Sequence, residues 1–90
     1  MIYTVRESET GFFVEKKDKT GEIVDVCLVT KDLNKFSCSC PYFQRTQNEI
    51  NHFHILVVKE WLKRNKPEMA MYIKNRDNKL EILSSGYYLE

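Results

Sequence analysis

The stretch that decides the fold is Lys35-Phe36-Ser37-Cys38-Ser39-Cys40-Pro41-Tyr42-Phe43, answered by His52-Phe53-His54-Ile55-Leu56-Val57-Val58. Two Cys and two His gathered in a short chain are the donor set of a tetrahedral structural zinc site. In an extended strand, residues i and i+2 project to the same side, so Cys38 and Cys40 can reach one ion. Pro41 suits a chain that is leaving the strand. Inside a helix, positions i and i+2 point about 200° apart, so His52 and His54 cannot both face one ion from a helix interior. The pair therefore places His52 just before or at a helix start and His54 in its first turn. Asn48 or Asn51 would cap that helix. Its positive N-terminus would favour the thiolate form of the two cysteines.

Working outward from this stretch, the N-terminal side reads as a β-meander. Ile2 to Arg6 alternates apolar and polar residues, and Phe12 to Lys16 forms a second strand after the turn Ser8-Glu9-Thr10-Gly11. Lys17-Asp18-Lys19-Thr20-Gly21 is a reversal signal, because Asp and Gly tolerate the angles a tight turn needs. Glu22 to Thr30 is rich in β-branched residues and is the clearest strand. Asp32-Leu33-Asn34 turns again, and Lys35 to Cys38 delivers the C-x-C pair. Pro41 to Asn51 reads as a polar loop. Phe53 to Asn65 reads as the main helix, with Ile55, Leu56, Val58, Trp61 and Leu62 facing the sheet at helical spacing; Pro67 stops it. Glu68 to Ile73 fits either a helical turn or a strand. Leu80 to Leu83 reads as a strand, and Ser84-Ser85-Gly86 as a turn before Tyr87-Tyr88-Leu89. The expected class is α+β. An antiparallel meander is followed by one main helix packed on it, the metal site joins the last meander strand to the helix start, and short C-terminal strands follow.

Ninety residues suit one domain, 1–90, whose core motif spans about 36–62. A chain of this size has a marginal core and leans on a metal or a partner. Its hydrophobic content of 42% and aromatic content of 12% argue for a folded globule. The net charge of +1 excludes a strong overall basic field. Charge is uneven along the chain, however: Lys59 to Lys79 holds seven basic residues against three acidic, and Met1 to Ser37 holds six against seven. No apolar run is long enough to span a bilayer, and the N-terminus has no signal-peptide profile. Three cysteines, an odd number, suit a cytoplasmic protein better than a disulfide-stapled secreted one.

The motif resembles the SWIM zinc finger, which reads as a strand, then C-x-C-P-x-F, a loop, and C-x-H-I opening a helix. Here Cys38, Cys40, Pro41 and Phe43 match, as do His54, Ile55 and the apolar run after them. His52 stands where that family carries Cys. The resemblance covers roughly residues 20–62 and fits a small archaeal or viral member. It implies one structural Zn²⁺ held by Cys38, Cys40, His52 and His54. It also implies a setting among helicases, transposases and recombinase-paralogue complexes, where some members bind proteins.

Plainer readings stand beside these. Cys38 and Cys40 can be buried thiols, and His52 and His54 surface residues. A redox C-x-C would close a very tight ring with no evident resolving partner. A catalytic zinc would need an open position and a nearby acid or base, and Glu49 is the one carboxylate close in sequence. Cys27 reads as a small buried hydrophobe and as the reserve ligand should His52 fail. Lys59, Lys63 and Lys66, with Arg64 beside them, follow the spacing of one exposed helix face. That face is either a phosphate-contacting stripe or an ordinary solvated one. Arg45, with Tyr42, Phe43 and Gln44, could meet an unpaired base or a phosphate, or Phe43 could simply sit under its loop. The expected function is a non-enzymatic zinc module that binds DNA or RNA. The alternative is a protein-interaction adaptor of a DNA recombination, repair or transcription complex, with a recombinase or helicase as partner. No small-molecule substrate and no membrane is expected.

Overall fold

The computed structural model describes residues 1–47, 52–68, 70–77 and 79–84. Its elements run β1 (Ile2–Glu7), β2 (Phe12–Lys17), β3 (Ile23–Asp32), β4 (Lys35–Cys38), α1 (Pro41–Thr46), α2 (Phe53–Lys63), β5 (Met71–Lys74) and β6 (Leu80–Ser84). The strands form one six-stranded sheet in the order β4-β3-β2-β1-β5-β6, antiparallel at every step. The α+β class holds, with the meander first, α2 packed on the sheet and two short strands last.

Local chemistry explains the meander. Asp18 Oδ1 accepts hydrogen bonds from the Thr20 hydroxyl at 2.6 Å and from the backbone N–H groups of Thr20 and Glu22 at 2.9 and 3.1 Å. That pattern closes the β2–β3 reversal. It also holds the Asp18 carboxyl below its ordinary pKa, the Thr20 hydroxyl contributing most. Gly11, in the β1–β2 turn, allows a close approach to β3: a Cβ there would stand 2.5 Å from the Val29 carbonyl oxygen. Leu33 makes the two-residue β3–β4 turn with φ 58°.

The core lies between one face of the sheet and α2. Val14, Cys27, Val29, Phe36, Cys38 and Tyr72 come from the strands, and Phe53, Ile55, Val57, Val58 and Trp61 from the helix. Ile55, Val58 and Trp61 are buried as their spacing predicts. Val57 and Phe53 are buried too, whereas Leu56 and Leu62 are only half-buried. The main helix ends at Lys63, two residues before the expected Asn65. Its end is a Schellman motif: Lys66 N–H donates to the Trp61 carbonyl at 2.9 Å, and Asn65 N–H to the Leu62 carbonyl at 3.1 Å. Asn65 and Lys66 carry the positive φ that this ending needs.

Two expectations for the connecting segments change. The loop expected over Pro41 to Asn51 opens with the short helix α1, because Cys40 and Pro41 together supply a cap and an N1 residue. Of the ambiguous segment 68–73, residues 71–73 belong to β5, which joins β1 through Tyr3 and Tyr72. The expected turn and Tyr87-Tyr88-Leu89 strand after Ser84 lie outside the described residues. No helix among the described residues is long and apolar enough to cross a membrane.

Candidate metal centre

Three elements converge on one point. Cys38 ends β4, Cys40 caps α1, and His52 and His54 stand on either side of the start of α2. His52 is the N-cap residue, with an extended backbone at φ −79° and ψ 120°, and its carbonyl accepts from Leu56 N–H at 2.9 Å. That conformation, unlike a helical one, lets side chains two residues apart point to one centre. The His52 ring makes no capping hydrogen bond; it is turned to the cysteines instead. The proposed caps Asn48 and Asn51, and the carboxylate Glu49, lie outside the described residues.

The four donor atoms all lie within 4.8 Å of one another, close enough to coordinate one metal ion. Cys40 Sγ is 3.1 Å from His52 Nε2, Cys38 Sγ is 3.6 Å from His54 Nδ1, and the two imidazole nitrogens are 3.3 Å apart. Bonds of about 2.1 Å to nitrogen and 2.3 Å to sulfur at tetrahedral angles would put N–N near 3.4 Å and S–N near 3.6 Å. The His52–His54 edge of 3.3 Å and the Cys38–His54 edge of 3.6 Å fit that figure, and the Cys40–His52 edge of 3.1 Å is shorter. His52 presents Nε2 and His54 presents Nδ1, so the two rings approach the centre through different nitrogens.

Neighbouring groups hold the donors in place. Phe43 N–H donates to Cys40 Sγ at 3.5 Å, and the Gln44 amide donates to the Cys38 carbonyl at 2.7 Å, tying α1 to β4. Ser39 binds Leu28 through its N–H at 2.9 Å and its hydroxyl at 3.0 Å, which extends the β3–β4 pairing past Cys38. Phe43 is 2% exposed and its ring lies 5.2 Å from that of His52, so Phe43 is a packing residue. The Tyr42 ring stacks at 12° to His52 on the outer side.

Burial dominates the electrostatics of the four donors. It pushes the Cys38 thiol up to about 12 and, with the neighbouring His52 ring adding to it, pulls His54 down to about 4. His52 is also lowered, by burial first and Lys74 second. Burial thus favours the neutral forms of Cys38, His52 and His54. A metal ion would have to displace the thiol proton. Cys27, the reserve ligand, is outside the set of four, but its thiol interacts with those of Cys38 and Cys40. Burial first and the Asp25 carboxylate second raise it to about 11.

The basic residues singled out in the sequence do not form one stripe. Lys59 is exposed on α2, with Nζ 5.3 Å from the Phe36 ring. Lys63 is exposed at the last helical position, and Arg64 is the C-cap, ion-paired with Glu60. Lys66 lies past the helix, where the left-handed turn sends its side chain to Glu7 at 3.1 Å. Arg45 is exposed on the separate helix α1. What sequence reading missed is a second charged group beside the metal donors: Lys16, Asp25 and Lys74, all of which act electrostatically on His54. A signal existed for Asp25 alone, which shares strand parity with the buried Cys27 and Val29; its pairing with Lys16 is set by the β2–β3 register. No protein-family model, curated protein or solved structure matches this chain.

Proposed function

We propose that the chain is a small, non-catalytic zinc module of SWIM type whose metal organises a nucleic-acid-binding surface. The observation that carries the metal half is the closure of the donor set. Two sulfurs and two nitrogens lie within 4.8 Å of one another, and zinc accepts such a soft and borderline mixture. Four protein donors leave no open position, so the role is structural. The ion would join β4, α1 and the start of α2, and would supply there the cross-link that a small core lacks.

The nucleic-acid half is supported by where the cations stand. Lys59 and Lys63 on α2 and Arg45 on α1 stand on the two helices that open at the metal donors, and all three are exposed. Near-neutral net charge points to a local contact surface, as opposed to a global field. The test is an anisotropy titration of the zinc-loaded protein against single- and double-stranded DNA and RNA at several salt concentrations. Affinity that falls steeply with salt is the expected result. No binding at low salt would sink the reading.

A second reading, a protein-interaction adaptor, draws on the opposite side of the molecule. Val24 and Val26 of β3 are 49% and 44% exposed, and an apolar strip on a sheet face suits a protein partner of the recombinase or helicase type. Pull-down of such a partner by the intact chain, lost on Val26→Lys, would favour it.

A further inference from the structure

The strand row nearest the metal centre breaks the pattern of an apolar inner face. Register sets Tyr3 opposite Lys16, and Lys16 opposite Asp25. One step further along the same strands, Val5, Val14 and Cys27 stand opposite one another. Positions two apart share a face, so Lys16 and Asp25 leave the sheet on the side that carries the core. A covering helix asks for apolar residues there. Such a local violation marks either a function or an uncovered surface.

Both conditions hold. Beyond the start of α2 the face opens into a cavity of about 490 Å³, lined among others by Lys16, Asp25, Lys74, Tyr42, His52 and His54. One ion fills a small part of that space, whereas small-molecule sites run from roughly 300 to 1,000 Å³. The cavity holds two ammonium groups against one carboxylate, and a divalent cation with two thiolates would add no net charge. Lys74 Nζ sits 5.1 Å from the Phe53 ring centroid, so its cation is held at the wall. At the mouth, Tyr42 is 55% exposed, and its ring is parallel to that of His52 within 12° at 6.0 Å between centroids. A flat ring laid on Tyr42 would extend an existing stack.

We propose that this cavity takes one unpaired nucleotide of a single strand, its base on Tyr42 and its phosphate between Lys16 and Lys74. Asp25 then accepts a hydrogen bond from an amino group of the base or a sugar hydroxyl. Aromatic stacking beside a basic groove is the usual means of holding single strands. The proposal rests on the nucleic-acid reading above and adds the site and the strand preference to it.

The test uses the zinc-loaded full chain, with a labelled single-stranded oligonucleotide and a duplex of equal length. The Lys16→Gln/Lys74→Gln double variant and Tyr42→Ala are each expected to weaken single-strand binding about tenfold, leaving duplex binding within about twofold. Tyr42→Phe keeps the ring and is expected to hold the affinity. Zinc content and melting temperature, measured alongside, confirm that each variant is folded. Equal losses on single strand and duplex would overturn the pocket, making Lys16 and Lys74 part of a general basic surface. Unchanged single-strand affinity in both variants would also overturn it while leaving the nucleic-acid reading in place. If the unaltered chain binds neither strand form, the broader reading falls and takes the pocket with it.

Discussion

The two ends of α2 are held by different physics. At its N-terminal end the side chain of the N-cap residue His52 makes no capping hydrogen bond, the sheet beneath carries Lys16 and Asp25, and two imidazoles face two thiols beside the buried Phe53. At its C-terminal end the backbone closes on itself in a Schellman motif, Trp61 meets the edge of Phe12 at 6.0 Å, and the Trp61 indole N–H donates to the Pro67 carbonyl at 2.9 Å. One end carries, beside the buried Phe53 and Ile55, a donor set that could bind a removable ion, and the other rests on packing and backbone hydrogen bonds alone. With a metal bound, the helix would be anchored permanently at one end and conditionally at the end that borders the cavity. Metal loading would then decide whether the cavity wall exists, whereas the sheet and the far end would persist without it.

The largest effect should come from breaking the conditional end. Chelation, or Cys38→Ser, is expected to lower stability by at least about 5 kcal/mol, given the 10 kcal/mol or more that structural zinc contributes in small domains. Hydrogen exchange should show that protection is lost first in the opening turns of α2 and in α1. A melting curve unmoved by excess chelator would refute a structural metal. The next effect tests the permanent end. Trp61→Ala should cost about 3–5 kcal/mol, by the same amount in loaded and chelated protein. A Trp61→Ala variant that loses its zinc would show that the two ends are one cooperative unit, and the comparison would fail.

The same contrast explains what could be read in the sequence. The meander, the strand Lys35–Cys38 and the position of His52 at a helix start were all legible, because period-two alternation, turn chemistry and i, i+2 geometry are local rules. Helix α1 was not, since six residues with one buried side chain, Phe43, carry little periodicity and a cysteine is an unusual cap; Pro41 at N1 was the clue. Lys66 was misplaced because helical spacing was carried past a left-handed ending that no apolar pattern announces. The pairing of β5 with β1 rests on one long-range register, Tyr3 with Tyr72, and local patterns do not encode it. The charged floor of the cavity escaped notice because Lys16 and Asp25 become neighbours only when β2 meets β3.

Acid should separate the two ends more gently. In the metal-free chain His54 is held down to about 4, by burial first, from an ordinary 6.5. A histidine depressed in the folded state contributes stability that is complete above about 6.5 and is lost as pH falls toward 4. The loss is roughly 2 kcal/mol once partial contact with water is allowed for. Urea titrations of the chelated protein at pH 7 and pH 4.5 would measure it, and His54→Gln should remove most of the difference. In the loaded protein the linkage runs through Cys38. Its thiol, raised to about 12, must give up a proton to the metal, so apparent affinity should fall about tenfold for each pH unit below that value for this proton alone. Affinity independent of pH in a competition with a chelator of known proton dependence would mean that the ion is not held by the Cys38 thiolate.

The smallest effect concerns the hairpin that presents the thiols. Leu33 is 88% exposed and sits at φ 58°, a conformation that costs a branched residue roughly 1–2 kcal/mol and glycine almost nothing. Leu33→Gly should therefore raise stability by about 0.5–1 kcal/mol, net of the extra freedom glycine has when unfolded. Since the turn lies on the strand pair and not on the ion, the gain should be the same with and without metal. A gain confined to the chelated protein would mean that coordination at Cys38 and Cys40 is what keeps the strained turn closed. The hairpin would then belong to the conditional end of the molecule, and the boundary between the two regimes would run through β3 instead of through α2.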